Sequence, residues 1–289
     1  MLLYTHTACL AHDPGPGHPE CPARLEAVLH AVRAAFPALE WRQAPEATRD
    51  ALLRVHTRSL VESVLDTVVD GQHRLDEDTM LSPGSAQAAL RAAGAGIAAV
   101  DAVMAGEGPQ AFCAVRPPGH HATRDVAMGF CLFNSVAVAA AHAVHAHGLH
   151  RVAIADFDVH HGNGSQDIFA GDPRVMYLSS HQSPLYPNTG DPAERGVGNL
   201  ANAGDVALGH YIAHPYNIEA AGEEGAKFAE DYKAKTGHYP SYTEPQTVIG
   251  ITFLGELKKN PRMKFTPVIM LTTEDENAKM QQAKATAEP

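Results

Sequence analysis

Short apolar runs that alternate with amphipathic stretches are the feature that most restricts the fold of this 289-residue chain. Apolar residues recur with helical spacing, and continuous apolar runs of strand length lie between these stretches. The predicted helices cover 22–36, 47–69, 85–105 and 133–147, and the predicted strands cover 111–115, 151–157 and 174–179. Unbroken apolar strands separated by helices are typical of a parallel sheet with helices on both faces. The pattern therefore predicts an α/β fold whose ligands bind beyond the carboxyl ends of the strands.

The charge and hydropathy of the chain argue against binding to nucleic acid and against a membrane span. The formal net charge is −11 and the basic residues form no stripe, so we expect no binding to nucleic acid. No apolar run reaches about 18 residues without a charge or a histidine, and no signal-peptide pattern opens the chain, so we expect no membrane span. Four cysteines without CxxC spacing favour reduced thiols: Cys9, Cys21, Cys113 and Cys131. These patterns predict a soluble cytoplasmic protein and leave its oligomeric state open.

The positively charged residues change type near residue 200. Lysine is absent from 1–200, and all eight lysines follow that point together with a single arginine, Arg262. Since lysine and arginine mostly replace each other on a solvated surface, the reversal favours a junction between parts of different origin. We therefore predict a front part at 1–200 and a non-matching, chimeric tail at 201–289. A lysine-rich solvated tail on the same protein is the alternative.

Polar side chains gather where two of the predicted strands end. RPPGHHA (116–122) follows the 111–115 strand, and ADFDVHHGNG (155–164) ends the 151–157 strand. Asp156, Asp158 and His160 are spaced by two, so in extended backbone they would project from one face. Carboxylate and imidazole donors together suit zinc. The spacing therefore predicts that Asp158 and His160 bind one zinc ion.

The adjacent histidines supply the proton chemistry of this prediction. Asp156 is the expected acceptor for the Nδ1 proton of His120, which fixes the tautomer of that ring. His121 would then remove a proton from water that zinc activates. The hypothesis places the histidine pair across a cleft from the metal ligands and predicts metal-assisted hydrolysis. Either motif alone is more often incidental, and a metal- or ligand-binding module without turnover stays open.

Several motifs occur in an order that resembles a known family. They are HPECPARL (18–25), LDEDTMLSPGSAQAAL (75–90), RPPGHHA, MGFCLFNSVAVAA (128–140), DFDVHHGNGSQDIF (156–169) and SSHQSPLYPNTG (179–190). Together they resemble bacterial members of the histone deacetylase family, including the acetoin-utilisation-type and acetylpolyamine amidohydrolases. The resemblance implies an arginase/deacetylase-like fold, incomplete in this chain, and zinc-dependent hydrolysis of an acylated amine. The implied substrate is an acetyl-lysine peptide or an acetylated polyamine.

The resemblance also implies roles for residues around the metal. Asp158 and His160 match zinc ligands, His121 matches the general base and acid, and His120 matches an electrostatic support with Asp156 behind it. Some members carry an aspartate behind the second histidine, where this chain has Asn163. A neutral amide cannot raise the basicity of His121 by its charge.

Further matched residues lie around the implied substrate tunnel. Phe130, preceded by Gly129, and Tyr186 match its two aromatic walls, and Arg24 matches a basic residue at the acetate exit channel. Ser179, with the aspartates and His160, resembles the family's structural K⁺ site. Phe130 as plain helical core and Arg24 as a helix-surface charge stay open. Four further histidines on or after a predicted helix, expected to be solvated, are His142, His145, His147 and His150.

The tail departs from the family pattern. A GFDAH-type segment with the third zinc ligand and a GGY segment with the carbonyl-polarising tyrosine are both missing after residue 200. Loss of one oxyanion donor typically costs about 2.7–4 kcal/mol of transition-state stabilisation, so impaired activity is expected. No spacing favours the possible substitutes Asp205, His210, His214, Tyr211, Tyr216, Tyr232, Tyr239 and Tyr242. A non-catalytic module or an inactive chimeric fragment is the alternative.

Two stretches of the tail resemble other proteins. Residues 218–247 resemble part of a periplasmic amino-acid-binding protein, and 250–284 resemble the middle of a response-regulator receiver domain, with Thr272 at its switch hydroxyl. The pattern predicts helices at 251–259 and 274–287 and a strand at 267–272. Because a receiver core needs more strands than these, no signalling function is assigned to the tail.

Overall fold

Parallel strands form the centre of both units into which the chain divides. The computed structural model describes residues 1–182, 184–190, 211–213 and 268–271. Among these, the first unit holds 1–152 and 163–176, and the second unit holds the remainder. The strands are β1 (Leu2–Thr5), β2 (Trp41–Gln43), β3 (His73–Arg74), β4 (Met80–Leu81), β5 (Ala111–Cys113), β6 (Val152–Asp156), β7 (Val175–Gln182), β8 (Tyr211–Ala213) and β9 (Val268–Leu271). The helices are α1 (Pro22–Ala35), α2 (Arg49–Leu52), α3 (Arg58–Leu65), α4 (Ser85–Met104), α5 (Ser135–Ala146) and α6 (Asn163–Phe169), with a 3₁₀ turn at Thr7–Leu10.

In the first unit, β1 lies between β2 and β5 and pairs in parallel with both. Tyr4 of β1 packs with small residues of α4, Ala95 and Ala102, in a buried apolar cluster. Small side chains let a helix approach a sheet closely, which explains the alanine-rich sequence of α4. None of the helices within the described ranges combines the length and the apolar character that crossing a bilayer requires.

Three of the predicted helices are confirmed, at α1, α4 and α5. Asn134 begins α5 by accepting a hydrogen bond from the Ala137 amide. The predicted helix 47–69 is wrong as a single element, since the chain forms the separate helices α2 and α3. Thr48 and Thr57 each accept a hydrogen bond from a backbone amide of the following turn, so each threonine starts a new helix.

In the second unit, the strand order is β8-β7-β6-β9. β9 pairs in parallel with β6, from Ala153 opposite Val268 to Asp156 opposite Leu271, and β8 pairs in parallel with β7. The strands predicted at 151–157, 174–179 and 267–272 are therefore confirmed, as is the parallel α/β class. Two strands of this sheet come from beyond residue 200. The predicted tail helices, Thr272 and most of the 218–247 and 250–284 stretches lie outside the described residues.

The four histidines on and just after α5 fall into two groups. His145 and His150 are exposed, as predicted. His142 and His147 are partly buried instead, and the Nε2 atom of each lies 2.6 and 2.7 Å, respectively, from Oδ1 of Asp101. The prediction that all four are solvated is wrong for this pair, because α4 packs against α5 and carries the carboxylate to them.

His56, between α2 and α3, makes the fold sensitive to acid. Its ring is buried, its Nδ1 lies 2.9 Å from the Thr123 carbonyl oxygen, and its Nε2 accepts a hydrogen bond from the Asn134 amide. The backbone N–H of Asn134 donates to the lone pair on Nε2 of His56. The imidazole must therefore stay neutral, because protonation at Nε2 would remove this acceptor. Burial lowers the pKa of the His56 imidazole to about 4.

We expect the free energy of unfolding to fall by about 3 kcal/mol as the pH drops from 6.5 to 4. In that window the unfolded chain binds a proton at His56 that the folded chain does not. Urea denaturation at pH 7.5 and at pH 4 measures the loss. A His56→Gln variant keeps a neutral donor and acceptor and should lose less stability over the same range; an equal loss would contradict the assignment.

Candidate active site

His120 and His121 are both buried in the segment that follows β5, and their ring centroids are 4.0 Å apart. The Ser165 amide donates to the His120 carbonyl oxygen, which holds this segment against the start of α6. A Cβ atom on Gly119 would lie 2.7 Å from the Ser135 backbone nitrogen, closer than real Cβ contacts. Glycine is therefore required where the chain turns into the histidine pair.

Asn163, the first residue of α6, lies behind His121. Its Oδ1 atom is 2.8 Å from Nδ1 of His121, and its Nδ2 atom donates to the Met128 sulfur. Since a carboxamide oxygen only accepts, His121 donates its Nδ1 proton and carries the basic lone pair on Nε2. Asn163 thus selects the tautomer that a general base at Nε2 needs, as an aspartate would, but without its charge.

Gly129 and Phe130 both adopt left-handed backbone conformations, with φ angles of 57° and 67°. A Cβ atom on Gly129 would lie 2.5 Å from Cδ2 of His121, so only glycine fits beside this imidazole. The Phe130 amide donates to Oγ1 of Thr79, and its ring packs edge-on against His18 at 4.8 Å. Phe130 is partly exposed and lies outside any helix, so the alternative of a helical core position is wrong.

Arg24 lies on α1, with Nη1 3.6 Å from Oε1 of the buried Glu20 and 29% of its side chain exposed. Glu20 also accepts two hydrogen bonds from Arg116, one from Nε and one from Nη2, each at 2.6 Å. Arg24 therefore faces a buried carboxylate rather than standing as an isolated surface charge. The expected role of Arg24 at an exit channel stays a prediction.

In the second unit, β6 ends at Asp156, and the chain then bends instead of continuing as a strand. The expectation that extended backbone aligns Asp158 with His160 is therefore wrong. The His160 amide donates to Oδ1 of Asp158 at 2.7 Å, and this side chain-to-backbone bond sets the turn. The turn still brings the two side chains together, by a different local structure from the one that the spacing predicted.

Asp156 is buried at the end of β6. Its Oδ2 atom accepts a hydrogen bond from the Tyr177 hydroxyl at 2.8 Å, and its Oδ1 atom accepts one from the Asp158 amide. Burial and the Asp156 charge raise the pKa of Tyr177 well above its usual value, so the phenol stays a donor. Tyr177 also accepts from the Gly162 amide. Sequence reasoning missed Tyr177, because only the β6–β7 pairing brings it to Asp156.

The donor atoms of Asp158 and His160 fit a zinc ion. Oδ1 of Asp158 lies 3.3 Å from Nδ1 of His160, and both side chains are partly exposed. Zinc binds nitrogen and oxygen at about 2.0–2.1 Å in a tetrahedron, which places neighbouring ligand atoms about 3.3 Å apart. The distance between the two donor atoms is therefore compatible with one shared zinc ion, which needs further ligands to complete its coordination.

Tyr186 and Ser179 lie in the same unit as Asp158 and His160. The Tyr186 ring lies 6.2 Å from that of His160, in an edge-on arrangement. His161 lies 2.7 Å from the Thr189 hydroxyl, and His181 lies 2.8 Å from the Ser179 hydroxyl. Sequence reasoning missed His161 and His181, although the DVHHG motif contains the first. The proposed K⁺ role of Ser179 stays a prediction.

Comparison with known proteins identifies the family of the chain. The histone deacetylase domain matches residues 18–235. The uncharacterized protein slr0245 of Synechocystis is 43% identical over 192 residues, which cover 65% of this chain and 63% of that protein. The histone deacetylase-like amidohydrolase of Pseudomonas aeruginosa is 43% identical over 174 residues, which cover 59% of this chain and 46% of that protein. The chain thus spans about half to two thirds of the length of these relatives.

A solved structure shares the fold. The crystal structure of the HDA15 HD domain has a TM-score of 0.75 and 29% sequence identity, with 98% of this chain and 86% of that chain covered. This likeness confirms the predicted arginase/deacetylase-like α/β fold. The domain match reaches past the composition change near residue 200, whereas the division into 1–200 and 201–289 stays a prediction. The chain belongs to the histone deacetylase family.

Proposed function

We propose that the chain hydrolyses an acylated amine with the help of zinc. The observation that carries the proposal is the Asp158–His160 donor pair, whose separation of 3.3 Å suits one zinc ion. Membership of the histone deacetylase family supports the reaction class. When bound, zinc would polarise the acyl carbonyl and lower the pKa of water at the metal to about 7.

The residues of the chain would divide the remaining chemistry. His121 accepts the proton of the attacking water at Nε2 and returns it to the leaving amine, with Asn163 fixing its tautomer. His120 supports the developing charge electrostatically, and Asp156 is its proposed carboxylate partner. The Tyr177 hydroxyl and the Asp158 backbone amide donate hydrogen bonds to Asp156 and orient its carboxylate.

Phe130 and Tyr186 are the proposed walls for the acyl-amine chain of the substrate. The Thr79 and His18 contacts fix Phe130 in a partly exposed position, as a wall residue requires. We propose an acetyl-lysine peptide or an acetylated polyamine as the substrate. A structural K⁺ ion near Ser179 is part of the same proposal.

A chelator experiment tests the reaction. The purified chain is incubated with a fluorogenic acetyl-lysine peptide and, separately, with an acetylated polyamine, before and after removal of metal. We expect deacetylation that chelation abolishes and added zinc restores. Activity that survives complete removal of metal would contradict the zinc requirement, and the relative rates on the two substrates decide between the amine classes.

Replacing His160 by alanine should remove the zinc ion held with Asp158. One of the two assigned protein ligands is lost, and the remaining carboxylate holds zinc weakly. Elemental analysis of the dialysed protein, beside a His145→Gln control on the exposed face of α5, measures the change. Unchanged stoichiometry at His160→Ala would contradict the ligand assignment.

A metal- or acyl-amine-binding module without turnover is the second candidate. It is favoured by the missing GFDAH and GGY segments after residue 200. In that case zinc and the substrate bind, whereas the acetyl-lysine assay shows no hydrolysis. Slow but chelator-sensitive turnover would instead identify an impaired enzyme, as expected from the loss of an oxyanion donor.

A further inference from the structure

Asp101, His142 and His147 form a cluster of metal-ligating groups outside the candidate active site. The three ligand atoms all lie within 4.8 Å of one another. The histidine side chains are 13% and 25% exposed, and that of Asp101 is 50% exposed. The cluster is therefore accessible from solvent on one side and held by the packed helices α4 and α5 on the other.

We propose that this cluster is a second metal site, which takes a divalent ion of the zinc class. Two imidazole nitrogens and one carboxylate oxygen are a frequent donor set for zinc, with the exposed side left for water. The present separations from Oδ1, 2.6 and 2.7 Å, have to widen by about 0.6 Å to reach tetrahedral spacing. Asp101 is half exposed and lies near the end of α4, so rotation of its side chain can lengthen both contacts.

A bound ion would be coordinated from both α4 and α5 and would therefore cross-link the two helices. His142 lies within α5 and His147 directly follows it, whereas Asp101 lies near the end of α4. Binding to the folded chain alone stabilises it by mass action. Added zinc should therefore raise the midpoint of thermal unfolding, and this increase should need all three side chains.

The guanidinium of Arg54 disfavours metal binding at His142, so replacing Arg54 should change the affinity of the cluster for zinc. Its Nη1 lies 3.3 Å from Nδ1 of His142, which places the ring proton on Nε2, towards Asp101. Metal binding at Nε2 moves that proton to Nδ1, where it faces the guanidinium donor. Arg54→Met should therefore tighten zinc binding, by roughly threefold or more, because it removes both the competing donor and a positive charge.

The experiment uses the full chain carrying Asp158→Asn and His160→Ala, so that ions at the candidate active site do not contribute. Metal-stripped protein is titrated with zinc by calorimetry, and with cobalt for its visible absorption. We expect one ion per chain and an absorption band of histidine-bound cobalt. His147→Gln should weaken binding by at least about tenfold, whereas the exposed neighbour His145→Gln should leave it unchanged.

The outcomes separate this site from the proposed catalytic zinc. If the cluster only forms hydrogen bonds, the Asp158→Asn/His160→Ala protein binds no ion, and the proposal is overturned. Equal binding by His147→Gln and its parent would overturn it as well. If only the catalytic assignment fails, the wild-type chain and the double variant bind the same single ion, and His147→Gln still weakens its binding.

Discussion

Replacing His121 by alanine is expected to lower kcat/KM for an acetylated amine by about 100- to 10,000-fold, the usual contribution of a general acid–base residue. The structure gives the reason: Asn163 accepts the Nδ1 proton and leaves Nε2 as the basic nitrogen. Steady-state kinetics on the acetyl-lysine peptide measure the loss. Because His121 is not assigned as a ligand, the zinc content should stay unchanged, in contrast to His160→Ala.

Asn163 offers a matched pair of controls for this prediction. Asn163→Asp keeps the acceptor and adds a negative charge, which favours the protonated ring of His121. The acid limb of the pH–rate profile should then move to higher pH. Asn163→Ala removes the acceptor and should lower kcat without that shift. A His121→Ala variant with wild-type kcat/KM, or an Asn163→Asp profile that does not move, would contradict the general-base assignment.

Local sequence signals predicted much of the fold. The continuous apolar run at 151–157 became β6, with Asp156 as its last residue, and the helix predicted at 133–147 became α5. Gly119 and Gly129 occupy positions where a side chain would strike the backbone or His121. Such signals succeed because each depends on a few neighbouring residues and on one dominant energy term.

Contacts between distant residues could not be predicted in this way. Tyr177 reaches Asp156 only through the order of strands in the sheet, and Asp101 reaches His142 only through the packing of α4 on α5. The spacing of Asp158 and His160 predicted a shared face of a strand, whereas a side chain-to-backbone hydrogen bond makes the turn. Periodicity describes an element by itself, and these interactions depend on which elements become neighbours.

The buried Arg116 is where the largest loss of stability is expected. Its guanidinium donates to both carboxylate oxygens of Glu20 and to the carbonyl oxygens of Cys9 and His12. Arg116 directly precedes the segment that ends in the histidine pair, so these bonds fix the start of that segment. Removing one partner of a buried pair leaves the other charge uncompensated and typically costs about 3–5 kcal/mol. We expect Arg116→Met to lower the free energy of unfolding by this amount in urea denaturation at pH 7.

An Arg24 variant and the pH dependence of the free energy of unfolding are the controls for the Arg116→Met prediction. Arg24→Met removes a partly exposed cation 3.6 Å from the same carboxylate and should cost no more than about 1 kcal/mol. Burial alone would raise the pKa of Glu20, but hydrogen bonds from His12 and Arg116 outweigh it and lower this pKa to about 2. The stabilisation is therefore complete above pH 4.5 and is lost as the pH falls towards 2. Arg116→Met should flatten that loss, and Glu20→Gln added to Arg116→Met should recover part of the stability. Equal losses for Arg24→Met and Arg116→Met would show that burial of the pair does not set its contribution.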